Sequence, residues 1–226
     1  MRAWVIGGDS GIGKACVDRL DALGHAVEAT GIEVDVRFKR QMVNYMQSSR
    51  PFDWIVYSAG INILSWDRDL QIDDASNLFD VNVFGFMRLI QIVAESQYRN
   101  KVGPGVSIVA ISSDAATRPM RTSMAYCASK AALNACVKQA ARELAPHVRV
   151  NAIAPGIVAP TGMSHYIDAM VPVIRDWTPE RASSYETSQI PFGRRGWPSE
   201  VAEAVCNTLA GPSYMSGAIV EVNGGR

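Results

Sequence analysis

Short apolar runs recur along the chain and are separated by longer segments in which apolar positions have helical spacing. The runs lie at residues 3–6, 25–30, 53–57, 106–111, 148–153 and 218–222. Strands that are apolar throughout are typical of parallel sheets, because helices cover both faces of such a sheet. The pattern therefore predicts an α/β fold, with a doubly wound parallel sheet as the middle of three αβα layers.

The segments between these runs predict helices and one irregular region. Helices are expected over residues 14–23, 37–49, 70–98, 128–144 and 198–210. Residues 159–191 differ, since prolines and bulky side chains interrupt the helical pattern, and they suit either a substrate lid or a long surface excursion. No repeat or linker divides the chain, so we expect a single dinucleotide-binding domain over residues 1–226, with 159–191 as its lid.

The edge of the predicted sheet is shorter than in a full doubly wound fold. Only Gly31 and Ile32 separate the second strand from the next apolar stretch at residues 33–36. A parallel neighbour needs a crossover connection of about a dozen residues. We therefore expect one crossover helix and one strand to be missing after the second strand.

Composition and charge exclude several classes of partner. The 22 basic and 22 acidic residues cancel without blocks of like charge, so neither nucleic acid nor a membrane surface is expected as a partner. No apolar stretch reaches the roughly 18 residues of a membrane span, and the first residues predict a strand instead of a signal peptide, so we expect a cytoplasmic protein. The cysteines form no Cys-x-x-Cys pair, so buried free thiols and no metal site are predicted.

A glycine-rich loop joins the first strand to the first predicted helix. Gly7 allows a tight turn, and Gly13 lets the helix pack closely with its positive end towards a phosphate. In isolation such a loop is as often an ordinary turn, but in this context it predicts a Rossmann-like dinucleotide site. The candidate residues are Gly7, Ser10, Gly11, Ile12 and Gly13, with Ser58, Ala59 and Gly60 after the third strand leaving room for a ribose.

Three side chains have the pattern of a proton-transfer site. Tyr126 and Lys130 are four residues apart at the head of the helix predicted over residues 128–144, so they should share one helical face. A cation near a phenol lowers the tyrosine pKa towards neutrality, where the hydroxyl can exchange a proton. Ser113 follows a buried strand, so its hydroxyl should emerge at the edge where open α/β sheets bind ligands. A Tyr-x-x-x-Lys pair by itself is usually a surface pair.

Asn82 interrupts the apolar surface of the helix predicted over residues 70–98. A buried amide normally satisfies backbone groups, whereas the functional interpretation is that Asn82 kinks the helix and holds a water for proton relay. The apolar positions surround so much of this helix that one side should pack on the sheet and the other on a second subunit.

Taken together, these motifs resemble the short-chain dehydrogenase/reductase family. The resemblance covers essentially the whole chain, and the step of thirteen residues from Ser113 to Tyr126 matches the family and selects Ser113 over Ser112. The matching stretches are residues 6–13, 58–60, 81–83, 111–113, Tyr126 with Lys130, 151–156 and 223–225.

The resemblance implies NAD(P)-dependent interconversion of a small secondary alcohol and a ketone. Tyr126 would be the general acid/base, and Lys130 would lower the Tyr126 pKa and hold the nicotinamide ribose. Ser113 would bind the substrate oxygen, and Asn82 would anchor a water relay. It also implies a homodimer or homotetramer. Further cofactor residues would be Asp35, Val36, Pro155, Gly156, Ile157 and Thr161, the last standing one position later than the family's threonine.

Cofactor choice, reaction and substrate stay open at this level. In the family, the end of the second strand carries an acidic residue for NAD or an arginine for NADP, and here that position falls at residues 30–32. Glu33 or Arg37 would have to reach back to the adenosine ribose. The absence of a basic residue at the strand end favours NAD slightly. A non-catalytic dinucleotide sensor and an epimerase or dehydratase are the alternatives. Bulky residues in the lid suggest an apolar or ring-shaped substrate or simply a stabilised loop: His165, Tyr166, Met170, Trp177 and Tyr185.

Overall fold

The computed structural model describes residues 1–98 and 105–226 and has a parallel sheet at its centre. Within these residues the sheet has six strands in the order β2-β1-β3-β4-β5-β6. The register brings Val5 beside Ala29 on one side and beside Val56 on the other. The strands are β1 (Arg2–Ile6), β2 (Ala26–Thr30), β3 (Trp54–Tyr57), β4 (Val106–Ile111), β5 (Val148–Pro155) and β6 (Ile219–Val222).

Helices cover both faces of the sheet, which confirms the predicted three-layer α/β fold. They are α1 (Gly11–Ala22), α2 (Lys39–Ser48), α3 (Ile72–Phe79), α4 (Gly85–Tyr98), α5 (Met124–Glu143), α6 (Gly162–Arg175), α7 (Pro179–Ser188) and α8 (Pro198–Leu209). One core lies between the sheet and the pair α1 and α8, where Leu20 and Val205 are fully buried. The other lies under α2, α4 and α5, where Phe86 and Leu133 are buried.

The shortened edge is confirmed, because β2 is an edge strand and no further strand follows it before β3. Residues 31–38 form turns, and Val34 and Val36 of the apolar stretch at residues 33–36 are buried in the core under α2. The chain then enters α2 directly. The missing crossover thus leaves the end of β2 flanked by a short loop.

The predicted helix over residues 70–98 is interrupted where Asn82 lies. A π-helical turn, Asp80–Phe84, separates α3 from α4. Tyr57 fills the space beside this turn, and its hydroxyl donates a hydrogen bond to Val81 O at 2.6 Å. A π turn leaves a carbonyl group without its ordinary helical partner, so the tyrosine satisfies the backbone at this irregularity.

Gly85 makes room for that tyrosine. A Cβ at Gly85 would overlap the Tyr57 hydroxyl and lie 2.9 Å from Val36 Cγ2. We therefore expect Gly85→Ala to lower the free energy of unfolding by about 1–3 kcal/mol, the usual cost of overpacking a core. Urea unfolding measured by circular dichroism tests this. Gly162→Ala is the matched control, because a Cβ there meets nothing within 4 Å.

The helical region also has the length and composition of a membrane span, which we had not expected from the apolar pattern. Residues 72–96 include an 18-residue window of mean hydropathy 1.2. The fully buried side chains of this region, such as Leu78, Phe86 and Leu89, belong to the protein's own cores. Core helices share these properties with membrane spans.

Residues 159–191 fold into two helices instead of an irregular loop. Thr161 caps α6 and exchanges hydrogen bonds with Ser164 in a capping box. Asp176 ends that helix in the left-handed conformation, and Thr178 caps α7. Proline at the first position of α7 and inside α6 explains why the sequence pattern concealed both helices.

Candidate active site

A cavity of about 690 Å³ opens at the carboxyl ends of the strands. It lies between the glycine loop, the ends of β3, β4 and β5, and the two lid helices α6 and α7. Ligands bind at this edge of open α/β sheets. Of the predicted site residues, the cavity is lined by Gly7, Ser10, Gly11, Ile12, Ser58, Ala59, Gly60, Ser113, Tyr126, Lys130, Pro155, Gly156, Ile157 and Thr161.

The other predicted site residues lie outside the cavity lining. Gly13 packs against the loop, where a Cβ would overlap Gly7 O. Asn82 is fully buried behind the cavity, and Val36 is buried in the core. Asp35 lies on the loop after β2, where the guanidinium group of Arg37 binds its carboxylate and lowers its pKa.

The glycine loop packs closely against the end of β3 and forms one side of the cavity. Gly7 has φ of +78° and Gly11 has φ of +54°, conformations that side chains rarely adopt. A Cβ at Gly7 would lie 2.7 Å from Ala59 N, so only glycine lets the loop approach the end of β3. The loop leads to the first turn of α1, whose N–H groups suit an anion. Thr161 lies on the opposite side, 3.5 Å from a Cβ placed at Gly11.

Lys130 is an almost fully buried cation at the floor of the site. Its side chain is on α5, and Nζ donates a hydrogen bond to Ile111 O at 2.9 Å. Burial lowers the Lys130 pKa to about 8, because the interior disfavours the charged ammonium. An ammonium has three N–H donors, so two remain available beyond the bond to Ile111.

Tyr126 is buried one turn earlier on α5, close to Ser113. Burial is the largest influence on the phenol and raises its pKa to about 12. Hydrogen bonding to Ser113 opposes this rise, whereas the nearby carboxylate of Asp114 adds to it. The Ser112 hydroxyl instead donates to Asn134 Oδ1 at 2.6 Å, so Ser113 is the serine next to the phenol.

The expectation that Lys130 lowers the Tyr126 pKa is wrong for this structure. Lys130 Nζ lies 5.7 Å from the centre of the Tyr126 ring and is bound to the Ile111 carbonyl group. Helical spacing brings the two residues to one face, but burial shifts their pKa values in opposite directions, that of the phenol up to about 12 and that of the ammonium down to about 8. At neutral pH both groups hold their protons.

Asn82 connects the π turn to α5. Its Oδ1 accepts from Ile61 N at 2.9 Å, and its Nδ2 donates to Ile61 O at 2.9 Å and to Ser129 Oγ at 3.0 Å. Ser129 in turn donates to the Tyr126 carbonyl at 2.8 Å. Gly60 separates the amide from the ammonium, since a Cβ there would lie 3.4 Å from both Asn82 Oδ1 and Lys130 Nζ.

The wall formed by the lid carries charges that sequence reasoning did not identify. Arg195 Nη1 donates to Asp168 Oδ2 on α6 at 2.8 Å, and its Nε donates to Glu186 on α7. These three residues line the cavity, and their contacts hold the two lid helices together. The pairing depends on tertiary contacts, so no local pattern indicates it.

Most of the bulky lid residues stabilise the lid itself. Trp177 packs edge-on against Tyr185, with ring centres 5.2 Å apart, and Arg181 lies over the Trp177 ring. Tyr166 accepts a hydrogen bond from Leu64 N at 3.3 Å. Only Tyr185 of the five suggested substrate contacts lines the cavity, while His165, Tyr166, Met170 and Trp177 do not. These residues therefore do not form an apolar substrate pocket.

Asp114 and Arg226 form an ion pair in the cavity wall that the sequence also did not reveal. Arg226 Nη1 lies 3.3 Å from Asp114 Oδ2, and the two side chains are 13% and 3% exposed. Burial raises the Asp114 pKa, and Arg226 opposes the rise. Asp114 directly follows Ser113, which was a usable signal, but Arg226 follows the turn after β6 and reaches the site only through the fold.

Comparisons with known proteins agree with this arrangement. A family model described as enoyl-(acyl carrier protein) reductase matches residues 9–226. The acetoacetyl-CoA reductase of Synechocystis sp. is 33% identical, and the alignment covers 97% of this chain and 93% of that protein.

Two solved structures are similar over nearly the whole chain. A short-chain dehydrogenase family protein from Francisella tularensis has a TM-score of 0.87 at 27% identity, covering 99% of this chain and 97% of the other. A variant of actinorhodin polyketide ketoreductase with NADPH has a TM-score of 0.88 at 27% identity, with 99% and 96% covered. The fold and the family of the chain thus follow from similarity over its whole length.

Proposed function

Since this chain belongs to the short-chain dehydrogenase/reductase family, whose members are NAD(P)-dependent oxidoreductases, we propose that it interconverts a small secondary alcohol and a ketone. The observation that carries the proposal is that Ser113, Tyr126 and Lys130 line one cavity together with the glycine loop. Proton donor, oxygen-binding hydroxyl, cation and phosphate groove are the groups that such a reaction requires.

Tyr126 is the proposed general acid/base. The nicotinamide group, when bound, supplies or accepts the hydride. In the reducing direction Tyr126 gives its hydroxyl proton to the carbonyl oxygen, while Ser113 donates a hydrogen bond to the same oxygen and stabilises the charge that develops there. With its pKa raised to about 12, the phenol is fully protonated at neutral pH and is therefore ready to act as an acid.

Lys130 and Asn82 are proposed to support this proton transfer. The two N–H groups of Lys130 not used by Ile111 suit the hydroxyls of the nicotinamide ribose. Both N–H groups of Asn82 are already used, so a relay water would have to donate to its Oδ1 or its main-chain carbonyl. Asn82 therefore acts mainly by positioning Ile61 and Ser129, beside any water that it holds.

The remaining cofactor residues are assigned by the family pattern and supported by their positions. The glycine loop with Ser10 would hold the pyrophosphate, and Ser58 to Gly60 would flank the ribose. Pro155, Gly156, Ile157 and Thr161 lie on the far side of the cavity and suit the nicotinamide. Asp35 and Val36 would contact the adenine from the loop after β2. Arg37 is bound to Asp35 and to Asn77 Oδ1 at 3.0 Å, which favours NAD because no cation is offered to a 2′-phosphate there.

Assembly, organisation and location complete the proposal. We expect one catalytic domain over residues 1–226, with 159–191 as the lid over the substrate. Phe84 in the turn before α4, Met87 on α4 and Met124 on α5 expose 44%, 41% and 52% of their surface, respectively. These exposed apolar side chains support pairing of the two helices in a homodimer or homotetramer. Light scattering after size-exclusion chromatography measures the assembly. A cytoplasmic location is the corresponding expectation.

The proposal is tested by following the absorbance of reduced cofactor with a panel of ketones and alcohols. An oxidoreductase consumes or forms reduced cofactor in proportion to substrate. A sensor binds the cofactor without any turnover, and an epimerase returns it unchanged. Absence of turnover with every member of a broad panel, despite tight cofactor binding, would contradict the proposal.

A further inference from the structure

The end of β2 lacks a side chain that can recognise the adenosine ribose. In dinucleotide folds an acidic residue about 20 residues beyond the glycine loop binds the 2′-hydroxyl of NAD, and an arginine nearby accommodates the 2′-phosphate of NADP. Here β2 ends at Thr30, whose hydroxyl accepts a hydrogen bond from Trp4 Nε1 at 3.0 Å and is buried. Gly31 follows and has no side chain.

Asp9 of the glycine loop occupies the space that a side chain at Gly31 would fill. The loop is bound to the end of β2, because Gly7 N and Gly8 N donate to Thr30 O at 2.7 and 3.0 Å. A Cβ at Gly31 would overlap the Asp9 carboxylate, which therefore lies directly over the Gly31 α-carbon. The carboxylate of Asp9 therefore lies at the end of β2, where the strand itself has no acidic side chain.

The surroundings of Gly31 are negatively charged. Glu33 Oε1 accepts a hydrogen bond from Gly31 N at 2.7 Å, so a second carboxylate lies beside Asp9's position. Arg37, on the far part of the loop, is bound to Asp35 and to Asn77 of α3. Like charges that lie close together repel each other, which disfavours a phosphate at this position.

We propose that Asp9 determines cofactor choice, by accepting a hydrogen bond from the 2′-hydroxyl of NAD and repelling the 2′-phosphate of NADP. The inference rests on the proposed function, because it requires the dinucleotide to lie along the glycine loop. It deepens that function by assigning NAD as the cofactor and a loop residue as its selector.

Titration of the purified protein with NADH and with NADPH, followed by energy transfer from tryptophan to the nicotinamide, tests the inference without any substrate. The wild-type protein should bind NADH more tightly than NADPH. Asp9→Asn should reduce this preference by about tenfold to a hundredfold, the range for a hydrogen bond to a charged group. The control is Asp18→Asn on α1, an exposed aspartate paired with Lys14, which should leave both affinities unchanged.

A second, independent experiment moves the carboxylate from the glycine loop to the end of β2. Gly31 does not have the left-handed backbone that excludes side chains, and replacing Asp9 with alanine removes the carboxyl group that a Cβ at Gly31 would overlap. Asp9→Ala alone should lose the preference for NADH. The double variant Asp9→Ala with Gly31→Asp should recover it, since the carboxylate then comes from the strand end.

Two results would overturn the inference alone: tighter binding of NADPH by the wild-type protein, or an unchanged preference in an Asp9→Asn variant whose melting temperature is also unchanged. The proposed function would survive both. Binding of neither cofactor by the wild-type protein would contradict the proposed function, and the inference would fail with it.

Discussion

Replacing Tyr126 with phenylalanine is expected to lower turnover by about two to four orders of magnitude, the usual contribution of general acid–base catalysis. The ring still fills its place on α5, so the fold and the affinity for reduced cofactor should be retained. Only the hydroxyl that is the proposed proton donor to the carbonyl oxygen is lost. Steady-state rates and cofactor titration on the same preparation separate the two effects.

Tyr214→Phe is the matched control for that variant, because Tyr214 is fully exposed at 101% and lies outside the cavity lining. It should turn over at the wild-type rate. Near-normal turnover of Tyr126→Phe would mean that another group supplies the proton, and the role given to Tyr126 would then be wrong.

Replacing Lys130 with methionine is expected to remove most activity and to stabilise the protein at neutral pH. Turnover and cofactor affinity should both fall, because the ammonium is the proposed ligand of the nicotinamide ribose. Stability should rise, because the folded chain no longer buries a cation that has a pKa of about 8 instead of 10.5. A shift of that size corresponds to a gain of roughly 3 kcal/mol.

The pH dependence distinguishes this effect from a general improvement in packing. Below pH 8 the ammonium keeps its proton in both the folded and the unfolded chain, so folding bears the full cost of burying the charge. Between pH 8 and 10.5 the unfolded chain holds the proton and the folded chain does not, so the stability of the wild-type protein rises with pH. The stabilisation by Lys130→Met should therefore be largest below pH 8 and decline above it.

Lys138→Met, at an exposed position of the same helix, is the control and should change neither activity nor this pH profile. Thermal unfolding at several pH values provides the measurement. A Lys130→Met protein that is less stable than the wild type at pH 7 would show that the ammonium contributes more through its contacts than its burial costs.

The local sequence pattern was sufficient to predict the strands, the edge of the sheet and the irregularity at Asn82. Strands β1 to β6 follow from apolar runs, and the short connection after Thr30 correctly predicted that β2 ends the sheet. Asn82 was correctly placed at an irregularity of its helix. Boundaries were less accurate: α5 begins at Met124 instead of residue 128, so Tyr126 lies inside the helix instead of before it.

Features that depend on distant contacts or on burial could not be predicted. Arg226 meets Asp114 and Arg195 meets two lid helices only because the fold brings them together. The opposite pKa shifts of Tyr126 and Lys130 come from burial, which helical spacing does not encode. The position of Asp9 over Gly31 likewise depends on how the glycine loop packs against β2.

Isotope transfer distinguishes hydride transfer to a ketone from cofactor binding alone. The protein would be incubated with reduced cofactor carrying deuterium at the nicotinamide C4 position and with a panel of ketones, and the alcohols analysed by mass spectrometry. We expect deuterium on the carbinol carbon of at least one product, with little transfer by Tyr126→Phe. Tight cofactor binding without transfer to any ketone would contradict the proposed hydride transfer and favour a dinucleotide-binding sensor.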